Sequence, residues 1–235
     1  MFLLPVHDLR FLSDGIFELE LERRGYRFGS GECAVLYNGG DESRPYSIAS
    51  GPGEDVLRFL IRRIDGGAVS PWLAARRRGE GVRISTPFGH FRPGQEGDTG
   101  DPAVFVATGV GIAPFLSFLG GGDRIRPLFV EGTVGAPNAR PLCLYGVRHL
   151  HEAVHVDLLR RFTEMRVAVS REAAAGCHHG RVTDLLAEIP LAPNTQFYLC
   201  GLDAMVDAVA YWLDARGVEH TRIHTEVFFS SDERR

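Results

Sequence analysis

Three short stretches hold residue types able to handle a phosphorylated nucleotide. In "VATGVGIAPF" (Val106–Phe115) an apolar run ends in Thr108, Gly109, Val110 and Gly111, and a second apolar pattern starts at Ile112. A strand that turns through glycines into a helix offers backbone N–H groups at a positive helix end, the geometry that cradles a dinucleotide phosphate. Gly109 and Gly111 are expected to supply positive φ and let a ligand approach the backbone. Pro114 stands where the usual G-x-G-x-x-G has its third glycine, and it suits the first turn of a helix. "YLCGLDAM" (Tyr198–Met205) repeats the design: a strand, Cys200, Gly201, then a helix. "VAVSRE" (Val167–Glu172) puts Ser170 and Arg171 at the end of a third strand. A hydroxyl and a guanidinium at a strand tip suit a phosphate monoester. In a doubly wound sheet all three tips line one crevice.

The elements that must position these residues fall into two halves. Residues 1 to about 97 read as short β-strands, in "GIFELELERR", "ECAVLYN", "RPYSIAS", "VLRFLIRRI" and "GVRISTPFGHF". Turn residues bound each one, which suggests an antiparallel barrel or sandwich. In "GIFELELERR", Ile16, Glu18 and Glu20 alternate against Phe17, Leu19 and Leu21. The polar, Gly/Pro-rich stretch 92–102 reads as a linker or last barrel loop. Beyond it strands and helices alternate, as a doubly wound parallel sheet requires. "HEAVHVDLLRRFTE" carries Val154, Leu158 and Phe162 at helical spacing, and "DAMVDAVAYWLDARG" reads as a helix with Asp203 as N-cap and Gly217 as C-cap. The long 120–141 stretch has room for an extra hairpin.

Bulk numbers narrow the class. The 235 residues are 44% hydrophobic and 24% charged, ordinary for a globular chain. A net charge of -4 gives no reason to expect nucleic acid. No run of 18 apolar residues exists, so no spanning helix is expected, and the opening "MFLLPVHDLRFLSDG" has no basic n-region or cleavage site of a signal peptide. Cys33, Cys143, Cys177 and Cys200 are scattered with no C-x-x-C pair, which fits a reducing cytoplasm better than a zinc ribbon or iron–sulfur cluster. His151 and His155 lie at i, i+4 without the carboxylate of H-E-x-x-H, so no metal is expected.

Six segments in one order carry a resemblance: "RPYS", "FLIRRI", "GGAVSPWL", "VATGVGIAPF", "VSRE" and "LCGLDAM". With these the chain resembles the ferredoxin–NADP reductase family of FAD-dependent oxidoreductases, over nearly its whole length. The resemblance implies a Greek-key flavin-binding β-barrel over 1–98 and a nucleotide-binding α/β domain over 99–235. The cofactors it implies are FAD and NADP(H). In the Arg44-Pro45-Tyr46-Ser47 segment it gives Arg44 the flavin pyrophosphate, Tyr46 a stacking face for the isoalloxazine, and Ser47 a hydrogen bond near flavin N5. Leu60, Ile61 and Arg62 match a strand whose backbone meets the ribose and adenine side. Ala68, Val69 and Ser70 match a turn that holds the pyrophosphate. Thr108, with Gly109 and Gly111, would sit between flavin and nicotinamide. Cys200, followed by Gly201, matches the cysteine beside the nicotinamide ring, where it serves positioning rather than covalent chemistry. Ser170 and Arg171 match the site of the NADP 2′-phosphate, with Arg181 as a second cation. Arg148 reads equally as a phosphate contact or as a solvated surface arginine. Glu226 resembles an acidic residue near flavin N5 that relays a proton. Phe228 or Phe229 covers the flavin face, the choice between them being open. The catalytic set implied is Ser47, Cys200 and Glu226.

The function implied is hydride transfer between NADP(H) and FAD, coupled to one-electron exchange with a separate acidic ferredoxin or flavodoxin. The protein is expected to be a cytoplasmic monomer. "ARRRG" at 75–79 reads as a solvated turn or as a docking aid for such a partner. Two other readings remain: the reductase component of an oxygenase or a flavin or quinone reductase, and a non-catalytic flavin-binding subunit.

Overall fold

A computed structural model describes residues 1–89, 91, 103–119, 141–189, 191 and 193–227. The sequence-based expectations for 92–102, for the 120–141 hairpin (all but residue 141) and for Phe228 and Phe229 lie outside them. The chain forms two compact units: Met1–Arg92 with Ala113–Arg124, and Pro93–Ile112 with Ile125–Arg235.

The first unit holds β1 (Phe2–Ser13), β2 (Ile16–Glu22), β3 (Cys33–Tyr37), β4 (Ser43–Ser47), β5 (Val56–Arg62), helix α1 (Ser70–Ala74) and β6 (Gly81–Ile84). The strands run in the order β4-β3-β6-β1-β2-β5. An isolated bridge between Ile48 and Phe59, with Ala49 N–H donating to Arg58 O at 2.8 Å, joins the two ends and closes a barrel. The first residues of β1 pair with β6, and those from Val6 onward pair with β2, with register shifts at Val6/Asp8 and Phe11/Ser13. Bulges of this kind bend a strand so that it can serve both sides of a barrel. The interior is filled by Val6, Phe17, Leu19, Leu21, Leu36, Leu57, Phe59, Ile61 and Ile84 among others, all fully buried.

The alternation seen in β2 holds, yet its polar side is not solvated. Glu18 is only 1% exposed. Arg10 Nε donates to it at 2.7 Å, and Arg58 Nε lies 3.8 Å away. Arg58 also pairs with Glu20 at 2.9 Å and Glu54 at 3.0 Å. Burial pulls the Arg58 guanidinium downward, but the hydrogen bond to Glu20 and the charges of Glu54 and Glu18 more than reverse this and raise it. A charge this buried persists because it is paired.

Helix α2 (Ala113–Leu119), which follows the glycine stretch, groups with the barrel. Ser117, fully buried, donates to Ser50 O at 2.8 Å, and Phe91 packs against Phe115 and Phe118 at 6.0 and 5.8 Å.

The second unit holds β7 (Ala103–Thr108), a 3-10 turn (Gly109–Ile112), β8 (Leu142–Val147), a 3-10 turn (Leu150–Glu152), α3 (Val156–Leu159), β9 (Glu164–Val169), β10 (His178–His179), a 3-10 helix (Val182–Glu188), β11 (Gln196–Gly201), α4 (Asp203–Asp214) and β12 (Ile223–Val227). The order is β10-β9-β8-β7-β11-β12, all parallel. Val104, Val106, Leu144, Phe197 and Leu199 of the sheet share one core with Val182, Leu185, Val206, Val209 and Leu213. From β7 the chain winds outward through β8 and β9, then returns to place β11 on the other side of β7. Strand order therefore reverses between β7 and β11, where open α/β sheets bind ligands.

Three local expectations are corrected. The 151–164 helix is interrupted: His155 sits at φ +57 between the 3-10 turn and the four-residue α3. Glu152 accepts the N–H groups of Arg148 (3.1 Å) and His149 (3.4 Å), a capping contact at the start of the 3-10 turn. His151 and His155 thus share no helix face. The N-cap of α4 is Leu202, and Asp203 is its first helical residue, where a carboxylate still favours the positive helix end. The C-cap is Ala215, with Gly217 at φ +76 two residues on.

Candidate nucleotide- and flavin-binding sites

In the barrel, β4 presents the "RPYS" segment. Its pairing with β3 sets Ser47 opposite Cys33, Tyr46 opposite Ala34 and Arg44 opposite Leu36. Arg44 is exposed and leans Nη1 on the Ser43 carbonyl at 2.7 Å. Burial pushes the Tyr46 phenol up to about 12, with Arg44 pulling the other way, so the ring is neutral at physiological pH. Ser47 is 2% exposed, and the Cys33 thiol donates to its Oγ at 3.6 Å. Leu60, Ile61 and Arg62 pair with β2 on one side, and among the described residues no strand pairs with their far edge. Val69 is the N-cap of α1, with Pro71 in the first turn. Ala68 O accepts from Asn38 Nδ2 at 3.3 Å, and Ser70 Oγ accepts the Ile64 N–H at 2.9 Å. A serine hydroxyl that accepts retains its proton to donate. Arg76 of the "ARRRG" turn stacks over Trp72 at 4.0 Å and pairs with Glu80 at 3.2 Å, so it braces α1.

In the second unit, the tips of β7 and β11 interlock at the strand-order reversal. Thr108 Oγ1 accepts the Leu202 N–H at 2.9 Å. Gly109 has the expected positive φ, +54, and Gly201 has +142. Gly111 does not, which corrects the expectation: its hydrogen is needed because a Cβ there would stand 2.7 Å from the Cys200 carbonyl carbon. The glycines let two strand tips approach each other. Cys200 is fully buried, and its thiol reaches Glu226 Oε2 at 3.7 Å. Two of the three residues read as a catalytic set are therefore in contact, and Ser47 belongs to the other unit.

On the next tips, Ser170 N–H and Oγ donate to Val147 O at 3.0 and 3.3 Å, and Arg171 N–H donates to Arg148 O at 2.9 Å. Gly180 N–H donates to Val169 O at 3.0 Å, which carries Arg181 to the end of β9. The side chains of Arg148, Arg171 and Arg181 are exposed. Sequence reasoning missed three partners here: Cys33 behind Ser47, the Leu202 N–H on Thr108, and Glu152 beneath the β8 tip. The first depends on the cross-strand register of β3 and β4.

Known proteins place these two units. A family profile described as an oxidoreductase NAD-binding domain matches residues 105–211. The chain is 32% identical over 217 residues to the ferredoxin–NAD(P)+ reductase component of the naphthalene 1,2-dioxygenase/salicylate 5-hydroxylase systems of Ralstonia sp, covering 87% of this chain and 61% of that one. It thus spans about three fifths of that relative's length. It is 30% identical to ferredoxin–NADP reductase B of Sorangium cellulosum, covering 93% of both chains. Among solved structures, the cytochrome P450 reductase of Amycolatopsis superposes with TM-score 0.82 at 25% identity, over 96% of this chain and 69% of that one. A ferredoxin NADP+ reductase of Neisseria gonorrhoeae, solved with FAD and NADP, gives the same score at 22% identity over 97% and 98%, which speaks to fold alone. With an antiparallel barrel, a parallel nucleotide-binding sheet and a full-length relative at this identity, the chain belongs to the ferredoxin–NADP reductase family.

Proposed function

We propose that the barrel unit binds FAD, that the parallel-sheet unit binds NADPH, and that the protein carries hydride between them and exchanges single electrons with a ferredoxin or flavodoxin. The observation that carries this reading is the interlocked pair of tips at the strand-order reversal, Thr108–Gly111 against Cys200–Gly201, with Ser170 and Arg171 on the tips beside it. The barrel's residues fit the flavin: a neutral aromatic face at Tyr46 and an exposed guanidinium at Arg44 for phosphate. Bound FAD would supply a centre that takes electrons in pairs and releases them singly. Thr108 and Cys200 would fix the nicotinamide ring from two sides. Glu226 would hold a proton beside Cys200. Ser170, Arg171 and Arg181 would hold the 2′-phosphate, selecting NADPH.

An anaerobic NADPH titration followed by an acceptor panel tests the whole reading. The purified protein should be yellow, bleach with NADPH, and reduce cytochrome c only when ferredoxin or flavodoxin is added. A colourless protein, or one that NADPH does not bleach, would overturn it. Relatives named as reductase components of dioxygenase and propane monooxygenase systems favour a second reading, in which the acceptor belongs to an oxygenase. It predicts activity with an oxygenase's own ferredoxin and none with generic ferredoxins in the same panel.

Two expected results arise from single residues. Denaturation should release FAD, and Arg44→Ala should weaken FAD retention by about 2 kcal/mol through loss of one charge-assisted phosphate contact. Equilibrium dialysis against FAD measures it, and release of FMN alone would remove the FAD assignment. Arg171→Ala should raise the Michaelis constant for NADPH about thirtyfold, roughly 2 kcal/mol, and leave that for NADH nearly unmoved. Equal effects on both nucleotides would show that Arg171 meets no 2′-phosphate.

A further inference from the structure

The β8 tip ends in a turn built around two carboxylates. Glu152, 6% exposed, accepts the N–H groups of Arg148 and His149. Glu172 comes from the neighbouring strand and accepts the next amide, Leu150 N–H, at 2.7 Å. Its second oxygen lies 3.7 Å from His149 Nδ1, and the rings of His149 and His151 stack at 5.5 Å with an interplanar angle of 13°. The Leu150 amide holds the Glu172 carboxyl below its ordinary range, with His149 and His151 adding to the effect. Three consecutive amides of one turn, 148 to 150, are thus consumed by acids of the protein itself.

The placement of Glu172 gives this a consequence. It directly follows Ser170 and Arg171, the residues read as meeting the 2′-phosphate, and in dinucleotide sites an acid beside the ribose accepts a hydrogen bond from an unphosphorylated 2′-hydroxyl. An acid free to do that would also repel a 2′-phosphate. We propose that the turn 148–152 is a specificity clamp: by holding Glu172 through the Leu150 amide and His149, it withholds the acid from the nucleotide ribose and leaves Ser170 and Arg171 to the 2′-phosphate. The clamp rests on the reading of Ser170 and Arg171 given above. Releasing Glu172 shifts the site from 2′-phosphorylated toward 2′-hydroxyl nucleotides.

The turn allows a clean release. His149 is extended, at φ -125 and ψ 150, and Leu150 is the first residue of the 3-10 turn. Proline is tolerated at that position and its predecessor already has the conformation proline demands, so Leu150→Pro deletes the donor with little else. The experiment measures binding of 2′,5′-ADP and 5′-AMP to the full-length flavoprotein by calorimetry, in wild type, Leu150→Pro, His149→Ala, and each combined with Glu172→Gln. Leu150→Pro should cut the preference for 2′,5′-ADP about fivefold and His149→Ala about threefold, in the range of exposed charge interactions. Glu172→Gln in either background should restore the preference to within about twofold. An unchanged preference in a folded Leu150→Pro and in His149→Ala overturns the clamp, as does a loss that survives Glu172→Gln. If Leu150→Pro does not fold, the His149→Ala and Glu172→Gln pair decides alone. A wild-type protein that binds 2′,5′-ADP no tighter than 5′-AMP overturns the earlier reading of Ser170 and Arg171, and the clamp falls with it.

Discussion

Gly201→Ala should destabilise the second unit by about 3 kcal/mol, far more than a typical glycine replacement. Two costs add. The φ of +142 is a region that side-chain-bearing residues rarely adopt, and holding one there costs roughly 1–3 kcal/mol. The new Cβ would also stand 2.9 Å from the backbone nitrogen of Thr108 and 3.0 Å from its carbonyl oxygen. These are main-chain atoms of the central strand β7 and cannot rotate aside, so the tips must separate and the Leu202–Thr108 hydrogen bond must stretch. Gly176→Ala separates the two costs. Its φ is +73, but nothing lies within 4 Å of the added carbon, so only left-handed strain of about 1–2 kcal/mol remains. Gly111→Ala is the opposite control, with a close approach to Cys200 and no positive φ. Urea unfolding followed by circular dichroism compares all three. If Gly201→Ala costs no more than Gly176→Ala, the close approach of the β7 and β11 tips is wrong.

The same contrast explains what was legible in the sequence. A glycine before a helix announces a turn, and Gly109 behaves as read. The sequence does not say which glycines serve a ligand and which serve a second strand, because that depends on how β7 and β11 become neighbours across nearly 90 residues. Glu18 teaches the same lesson: period-two alternation located β2, but Arg10 and Arg58 come from other strands and turn its polar side into a buried ion network. The interrupted segment after His151 failed for a local reason. Val154, Leu158 and Phe162 have helical spacing, yet the left-handed backbone at His155 splits the segment into a 3-10 turn and a short α3. In β1 Leu4 and Val6 are buried about Pro5, but the bulges farther along change which face points inward. The reach of the Cys33 thiol to Ser47 needed a register that no single strand contains.

Cys200→Ser should slow flavin reduction by NADPH about a hundredfold while nucleotide affinity stays within about threefold. The thiol is buried at the β11 tip and reaches Glu226. A serine oxygen sits closer to its own backbone and hydrogen-bonds a carboxylate more strongly than sulfur does. The side chain should therefore turn toward Glu226 and vacate the surface that a nicotinamide ring would press on. Ring distance and tilt enter the transition state, whereas the 2′-phosphate contact proposed for Ser170 and Arg171 would enter ground state and transition state alike. Stopped-flow reduction and NADP titration separate the two. Glu226→Gln in the Cys200→Ser background should add little, because the two groups act as one unit. Thiol labelling needs care in choosing controls. Cys177 is the one cysteine that is not buried, so it should be replaced by serine before alkylation. Cys143 is an inert internal control, with its thiol pushed up to about 12 by burial. Cys33 is not neutral, since it reaches Ser47. In the Cys177→Ser protein, alkylation should be slow and leave turnover intact, because Cys200 is as fully buried as Cys143. An unchanged reduction rate in Cys200→Ser would leave that residue as packing.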